Sequence, residues 1–461
     1  MATAGTQAQR TGATRGGGGM FRALAHRNFR LFVAGAFLSN AGTWMQNVAQ
    51  SWLVLQLTDS GTWLGIDNFV AMSPGLLLTL VGGVIADKVD RKRLLIFTQA
   101  GAGLSALVLG TLVWTGTIHW QGNARRPSDV WMVLVLSFVT GVCWSIAGPS
   151  YQAITVDLVE REDLANAIAL NSSQFQLARV IGPTLAALAM RLVGMAGCFF
   201  VNGLSYVAIV AALTQVKFKK RGDGESAGGR VSDEEAEARV AASSSARGAT
   251  KVAAAQASVP ARSMWADFAD GVRYVRGRPG VRVVLWCSAV VCLFGAPYIV
   301  LLPLFARNVY GWGESGLSLL MGTAGAGALT GALALAYLGD VRRKGLLLLG
   351  CLLTAGAAIV GFASMTAPRA ALPLLFAAGT SMVCFFALGN TILQQLVSEG
   401  MRGRVMSMWL LTFLGTTPFG AFLSGTAADH FGPRPTLAAC GIVILLFGLT
   451  VASRSPRLRE I

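Results

Sequence analysis

The sequence predicts an all-α membrane protein with twelve transmembrane helices in two pseudo-symmetric halves of six helices each. Three observations support this fold class. Hydrophobic residues make up 54% of the 461-residue chain, and only 13% of its residues are charged. Apolar stretches of about 20 residues, the length that crosses a ~30 Å hydrocarbon core as a helix, recur along the chain. A short charged loop also occurs twice, at matching places between apolar stretches.

The apolar stretches are numbered below as segments one to twelve. Transmembrane β-strands would give alternating segments of about ten residues, so helices are expected instead. The segments are centred near residues 43, 74, 104, 140, 178, 203, 293, 327, 355, 384, 415 and 443.

The repeated loop indicates a duplication. Its first copy follows segment two, and six of the seven residues from Asp87 to Arg93 are charged. The second copy, from Asp340 to Lys344, lies 253 residues later and also follows a Gly- and Ala-rich segment. Charges inside hydrocarbon are costly, which is why a membrane protein keeps them in such loops. Two homologous halves around a midplane site are the pattern expected of transporters.

The distribution of basic residues predicts the orientation. The net charge is +16, and with the N-terminus in the cytoplasm, 31 of the 38 Lys and Arg residues fall on the inner side. Only six fall on the outer side, and Arg179 lies within segment five. This is a positive-inside pattern. We therefore expect a multi-pass protein of the cell membrane (plasma or inner), with cytoplasmic termini, a lipid bilayer around it and no nucleic-acid partner.

The composition changes sharply in the middle of the chain. Residues 217–263 are polar, Gly-rich and charged, which is typical of a linker. Trp265, Phe268, Val272 and Val275 then recur at helical spacing, as in an interfacial amphipathic helix or a helix packed on the bundle. The expected parts are an N-terminal tail, a six-helix bundle, a linker with an amphipathic helix, a second bundle and a C-terminal tail: 1–28, 29–216, 217–280, 281–453 and 454–461.

Segment one carries an unusual number of amide and hydroxyl side chains. Asn40, Thr43, Asn47 and Gln50 are spaced three, four and three residues apart, so they share one helical face. Because these groups would be costly against lipid, we expect a water-filled substrate cavity, with hydrogen bonding between helices as the alternative. The other cavity candidates are Gln46, Tyr151, Gln152, Gln176, Arg179, Tyr298, Asn390 and Gln394.

Two ionisable residues lie inside the predicted hydrocarbon zone, Asp67 in segment two and Arg179 in segment five. Such residues are candidates for proton coupling or substrate binding. Arg179 would bind an anionic group or pair with a proton-carrying carboxylate; alternatively, it is a structural arginine held by helix-end carbonyls. Asp67 lies about one turn below the outer surface, which favours a solvated helix start; if it lies deeper, it is the leading candidate for proton coupling.

No enzymatic site stands out in the sequence. It has no nucleotide-binding loop, no zinc-protease helix and no dinucleotide fingerprint. All seven cysteines lie in apolar segments and only three histidines occur, so we expect no metal site and no cofactor. Without an ATP site, transport would draw on an ion gradient or on the gradient of the substrate itself.

The first charged loop resembles the signature between helices two and three of the major facilitator superfamily, through Gly83, Ala86, Asp87, Lys88, Arg91 and Lys92. Asp90 replaces the usual second glycine, as in the branch that contains the enterobactin exporter and the macrolide efflux permeases. The same branch is similar at 26–32, 163–167, 177–183, 271–276 and 402–407. The likeness covers roughly residues 20–450 outside the linker.

The resemblance implies a latch on the cytoplasmic side. Asp87 would face the start of helix eleven near Arg404, and Arg91 would pair with Asp157 at the end of helix four. Asp90 places a second carboxylate where the family usually has a flexible glycine. The implied latch residues are Gly83, Asp87, Lys88, Asp90, Arg91, Lys92, Asp157 and Arg404. The antiporter motif of helix five survives only as Gly182-Pro183.

The expected function is secondary active transport by a monomer. A central cavity lined by segments one, four, five, seven, ten and eleven would export a small amphipathic molecule, such as a drug or siderophore, coupled to proton entry by alternating access. An uptake permease of the same fold is one alternative. A membrane sensor or scaffold that does not transport is the other.

Overall fold

The computed structural model describes residues 21–120, 126–216, 264–339 and 341–455, and side chains at 77, 79–88, 152–153, 156, 161, 165 and 264–268 lie outside the description. The two predicted tails are therefore described only in part. The predicted linker up to residue 263 lies outside the described residues. Within those ranges the regular structure is helical.

The first half contains six long helices among its described residues. A break at Gly194, whose φ is 71°, divides the long stretch Leu164–Gln215 into α5 (164–193) and α6 (195–215). A positive φ at this point is readily adopted by glycine, which lets the chain reverse without a longer loop. The preceding helices are α1 (Arg27–Thr58), α2 (Gly61–Lys88), α3 (Arg91–Trp114) and α4 (Val130–Asp157).

After residue 263, the described chain continues with a short helix, α7 (Met264–Gly277), and then with the six long helices of the second half. The first of these, α8 (Pro279–Val309), is helical with wide π-type turns at Val291–Gly295 and Phe305–Val309. The others are α9 (Glu314–Leu338), α10 (Lys344–Ser364), α11 (Pro368–Leu396), α12 (Glu399–Phe431) and α13 (Pro433–Arg454).

Nine helical stretches of the described chain are long and apolar enough to cross a membrane. One of them contains both α5 and α6. The amide-rich face of α1 lowers its hydropathy, and α2 is described only in part, so neither is among the nine although both have membrane-spanning length. With α1 and α2 included, the described residues hold twelve long helices in two halves of six, and the fold class predicted from the sequence is confirmed.

The halves meet along two helix pairs, α2 with α12 and α5 with α9. In the first pair, a Cβ added to Gly425 would collide with the carbonyl oxygen of Gly61, so the two backbones touch. In the second, the backbone of Gly325 lies against the carbonyl of Arg179. These glycines allow the close approach that joins helices in a membrane.

We call the side where α1 begins the termini side, and the opposite side the far side. On the termini side, α7 packs on the bundle: Val275 is buried, and Gly271 faces Met408 of α12. The Tyr274 hydroxyl lies 3.3 Å from the Ser398 hydroxyl. The described part of α7 therefore has the second of its two predicted forms, a helix packed on the bundle. The side chains of Trp265 and Phe268 lie outside the described residues.

Candidate functional site

A buried carboxylate lies among α1, α2 and α4. Asp67 is 5% exposed. Its two oxygens accept hydrogen bonds from the Gln50 amide nitrogen at 3.1 and 2.9 Å, and Ser137 donates to it at 2.6 Å. Gln50 also donates to Ser137 at 2.9 Å. The three side chains form one closed hydrogen-bonded cluster.

The interpretation of Asp67 as a solvated helix start is wrong. The first turn of α2 is covered by α12, since Gly61 touches Gly425 and Gly65 touches Ala421. Asp67 lies six residues into the helix and faces α1 and α4 instead of solvent. The depth estimate failed because it counted residues from the helix start and did not include the neighbouring helices α1 and α4.

The polar face of α1 continues this cluster toward the termini side. Gln46 lies 3.4 Å from Gln50 and accepts a hydrogen bond from Asn202 of α6 at 2.6 Å. The Thr43 hydroxyl lies 3.2 Å from the Tyr206 hydroxyl. One turn further, Asn40 donates to Gln174 of α5 at 3.2 Å. The alternative predicted from the sequence, hydrogen bonding between helices, therefore applies to much of this face.

The same face also lines a cavity of about 250 Å³. Amide and hydroxyl groups share its wall with four aromatic side chains. The wall contains Asn40, Thr43, Trp44, Gln46, Asn47, Gln50, Ala71, Ala102, Ser137, Thr140, Gly141, Trp144, Phe175, Asn202 and Tyr206. All of these residues belong to the first half. The expected lining by segments seven, ten and eleven is therefore wrong for this cavity, because α1 turns its polar face toward its neighbours in the same half.

Arg179 of α5 lies beside the cavity wall. Its guanidinium is stacked over the Trp44 ring, 5.3 Å from the ring centroid. Tyr298 of α8 is within electrostatic reach of the same guanidinium, and its buried hydroxyl has no hydrogen-bond partner in the described part of the chain. Arg179 forms no ion pair with any described residue. The sequence did not single out Trp44, although it lies one position from Thr43 on the polar face.

The remaining cavity candidates are dispersed. Asn390 accepts a hydrogen bond from Gln394 at 2.9 Å on α11, and neither lines the cavity. Tyr151 packs on Phe32 with a centroid separation of 5.4 Å. Its buried hydroxyl has no hydrogen-bond partner among the described residues. Gln176 is half-buried on α5, and the side chain of Gln152 lies outside the description.

The loop between α2 and α3 forms several contacts on the termini side. Arg91 pairs with Asp157 at 3.3 Å, as the family resemblance implies. Asp90 caps α3 by accepting the backbone N–H of Arg93 at 2.9 Å. This N-cap role gives a physical reason for a carboxylate at this position. Lys92 donates to the carbonyls of Thr214 and Val216 at 2.9 and 2.8 Å, which joins the loop to the end of α6.

On the α12 side of the implied latch, Arg404 has a described partner other than Asp87. Arg404 of α12 lies 3.6 Å from Asp270 of α7. Gly83, Asp87 and Lys88 belong to the last part of α2, and their side-chain contacts lie outside the described residues. The pairing of Asp87 with the start of α12 therefore stays a prediction.

A second set of contacts joins the halves on the far side. Asp429, near the end of α12, accepts hydrogen bonds from Ser60, from the backbone N–H of Gly61, and from the backbone and hydroxyl of Thr62. This carboxylate caps the start of α2, where a negative charge is favourable. Arg307 of α8 also pairs with Asp59 at 3.1 Å. The sequence analysis did not single out any of these residues.

The contact between α5 and α9 is the pseudo-symmetric counterpart of the contact between α2 and α12, and it too is linked on the far side. Arg191 donates to the Ser315 hydroxyl at 3.2 and 3.0 Å. Arg191 precedes the break at Gly194 by three residues, and Asp429 precedes the positive-φ Gly432 by three residues. The two linking residues therefore occupy equivalent places in the two halves. The repeated spacing of three residues before a glycine was the sequence signal that could have identified both linking residues.

Comparison with known proteins adds independent findings. The model of a family described as transmembrane secretion effectors matches residues 18–245 and 242–460. The staphyloferrin A transporter of Staphylococcus aureus is 27% identical over 190 residues, which are 41% of this chain and 46% of that protein. The multidrug efflux pump Tap of Mycolicibacterium fortuitum is 24% identical over 442 residues, 94% of this chain and 96% of that pump.

A solved structure shows the same fold. It is the inward-facing, occupied structure of a bacterial homolog of the human lysosomal transporter Spinster. It aligns with a TM-score of 0.65 at 13% identity, and the alignment covers 96% of this chain and 99% of that one.

Proposed function

Since the chain belongs to the transmembrane secretion effector family within the major facilitator superfamily, and is thus a membrane transporter and not an enzyme, we propose that it exports a small amphipathic molecule in exchange for protons. The observation that carries the proton part of this proposal is the Asp67 cluster. The curated relatives include an efflux pump and a siderophore transporter, which supports a secreted small molecule as the substrate.

Asp67 has the surroundings of a proton carrier. Its described partners, Gln50 and Ser137, are both neutral, so no described cation compensates an ionised carboxylate there. Burying such a charge without a counter-ion is costly, and binding a proton removes the charge. A carboxyl group in this position would hold a proton while it is enclosed and release it when water reaches the cavity.

The cavity suits an amphipathic substrate. Its amide groups can bind polar atoms, while Trp44, Trp144 and Phe175 offer flat apolar surfaces. Arg179 at the edge of the wall would attract an anionic group on the substrate, such as a carboxylate. Because Gln50 both lines this cavity and binds Asp67, substrate and proton would act on the same side chain.

Alternating access would operate at the two helix pairs between the halves. On the far side the halves are joined through Asp429, through the pair of Asp59 with Arg307, and through Arg191 with Ser315. These contacts would have to break for the cavity to open on the far side. Rocking of one half against the other about a central site is the motion expected of a duplicated bundle.

The same proposal includes the topology. We place the chain in the cell membrane as a monomer with cytoplasmic termini, so the far side is extracellular. The predicted parts 29–216 and 281–453 would be the rocking halves. The linker 217–280 and the tails 1–28 and 454–461 would lie in the cytoplasm.

The direction of accumulation tests the function. Everted membrane vesicles that contain the chain are energised to make their lumen acidic, and uptake of a panel of labelled drugs and siderophores is measured with and without a protonophore. Export predicts protonophore-sensitive accumulation inside everted vesicles. Accumulation only in right-side-out vesicles would indicate an uptake permease, and saturable binding without flux would indicate a sensor.

A further inference from the structure

A groove lies on the termini side, between α7, α8 and α12. Its volume is about 540 Å³, and it is separate from the cavity in the first half. Its walls are mainly apolar, and two of its side chains are widely exposed, Trp286 at 61% and Leu411 at 42%. Because both exposed side chains belong to membrane-spanning helices, the groove opens toward lipid. The apolar part of its wall is Val272, Val275, Leu285, Trp286, Ala289, Met408 and Leu411.

Two arginines stand at the mouth of the groove. Arg276 is at the end of α7, and Arg282 is in the first turn of α8. The Arg282 guanidinium donates to the carbonyl oxygen of Arg276 at 3.4 Å, which keeps the two residues adjacent. Neither forms an ion pair with a described residue. Two positive charges at the opening of an apolar groove are therefore left without an acidic partner in the described chain.

Neighbouring arginines differ in this respect. Arg273 pairs with Asp270 at 2.9 Å, and Arg404 lies 3.6 Å from the same carboxylate. Arg278 is stacked on Tyr274, 4.9 Å from the ring centroid. These side chains have protein partners, so the positive charge available to a ligand is concentrated at the groove.

The groove also has the depth that a lipid tail requires. Arg282 and Ala289 are seven residues apart on α8, which corresponds to roughly 10 Å along the helix at about 1.5 Å per residue. The wall thus runs from the cationic mouth, at the beginning of a membrane-spanning helix, toward the hydrocarbon core. A ligand that fits must carry a negative head and an apolar tail.

We propose that this groove binds an anionic phospholipid of the surrounding bilayer. Its phosphate lies between the guanidinium groups of Arg276 and Arg282, and one acyl chain lies along the apolar wall. The bound lipid connects α7 to α8 and α12, and so fastens the end of the linker to a helix that must move in transport. The binding itself does not depend on the proposed transport reaction.

Native mass spectrometry of the full chain tests the proposal. The protein is reconstituted with phosphatidylglycerol or with phosphatidylcholine of the same acyl chains, then released in mild detergent, and the retained lipid is counted. We expect preferential retention of phosphatidylglycerol. Arg276→Gln with Arg282→Gln should lower that retention by about fivefold for each arginine, the factor of one cation near an anionic membrane surface. The matched control, Arg342→Gln with Arg343→Gln, removes the same charge from exposed positions on the same side and should retain lipid like the wild type.

A second readout needs no charge variant. Phosphatidylglycerol with brominated acyl chains should quench the fluorescence of Trp286, measured as the difference between the wild type and Trp286→Phe, more than brominated phosphatidylcholine does. Equal retention and equal quenching by the two lipids would overturn the proposal. So would equal loss of lipid in the control variant, or a second copy of the chain in place of the lipid in the mass spectrum.

Discussion

The Asp429 carboxylate accepts two hydrogen bonds from Thr62, one from the backbone N–H at 2.9 Å and one from the hydroxyl at 2.6 Å. The end of α12 in the second half thereby caps the start of α2 in the first. On the termini side, the family resemblance implies the reverse arrangement, with Asp87 of α2 facing the start of α12. One pair of helices would then carry a carboxylate latch at each end, and only the far-side latch lies among the described contacts.

Replacing Asp429 should loosen the far side. Asp429→Asn removes the negative charge at the start of α2, and such a charge at a helix N-terminus contributes about 1 kcal/mol. We expect the closed far side to become roughly fivefold less populated relative to the open one. Distances between spin labels at Thr117→Cys and Thr366→Cys, in a background without other cysteines, would report this shift. Both positions are exposed on the far side, one in each half.

The control for this variant is Glu314→Gln. Glu314 lies in the first turn of α9 on the same side, so its replacement removes an equal charge. A distance distribution that is unchanged by Asp429→Asn, or changed equally by the control, would contradict the far-side latch.

The contact between α2 and α12 depends on glycine. In Gly425→Ala the new Cβ would collide with the backbone of Gly61, which forces the helices apart. We expect a less stable far-side contact and a transport rate reduced at least severalfold, since overpacking costs about 1–3 kcal/mol. Thermal unfolding and vesicle uptake measure the two effects. Gly350→Ala is the control, because a Cβ there meets nothing within 4 Å; equal behaviour of the two variants would refute the packing argument.

Gln50 should position Asp67. Gln50→Ala leaves the Asp67 carboxyl group with one described donor, Ser137, and a lost hydrogen bond to a buried polar group costs about 1–3 kcal/mol. We expect a shifted pH profile of transport together with lower thermal stability. Asn68→Ala, which removes only an amide bonded to Leu64 of its own helix at 3.1 Å, should leave the pH profile unchanged. A normal pH profile in Gln50→Ala would exclude a link between the cavity wall and the proton site.

The pair of Arg91 with Asp157 should contribute little to stability and more to the transport cycle. Its side chains are 35% and 39% exposed, and such pairs contribute up to about 1 kcal/mol. Arg91→Asp and Asp157→Arg should each slow transport, while the double exchange should recover part of the rate because the opposite charges meet again. Initial rates in vesicles, corrected for the amount of inserted protein, provide the test. No recovery in the double exchange would show that the two residues act separately.

The fold was predictable because lipid leaves few choices. A chain whose apolar stretches match the bilayer and whose charges lie in short loops must form helices that span it. The pair of Arg91 with Asp157 followed from the family resemblance for a similar reason, as the two residues lie at the ends of long helices, at the start of α3 and the end of α4. The polar face of α1 was also evident from spacing alone.

The direction in which that face points was not predictable. Whether Asn40, Gln46 and Gln50 turn toward the other half or toward their own depends on how α1 packs against α5 and α6. The burial of Asp67 likewise depends on how α1 and α4 pack against α2, since Gln50 and Ser137 are its described partners. Asp429 escaped notice because a single carboxylate near a helix end gains significance only through the helix that it meets.

Proton movement coupled to substrate is the most direct test of the central claim that Asp67 carries the proton. The purified chain is reconstituted in liposomes that contain a pH-sensitive dye, and a substrate identified by the vesicle screen is added. The wild type should move protons when substrate is added, whereas Asp67→Asn should move none and still exchange labelled for unlabelled substrate without a gradient. Substrate-dependent proton movement at the wild-type rate in Asp67→Asn would contradict the account.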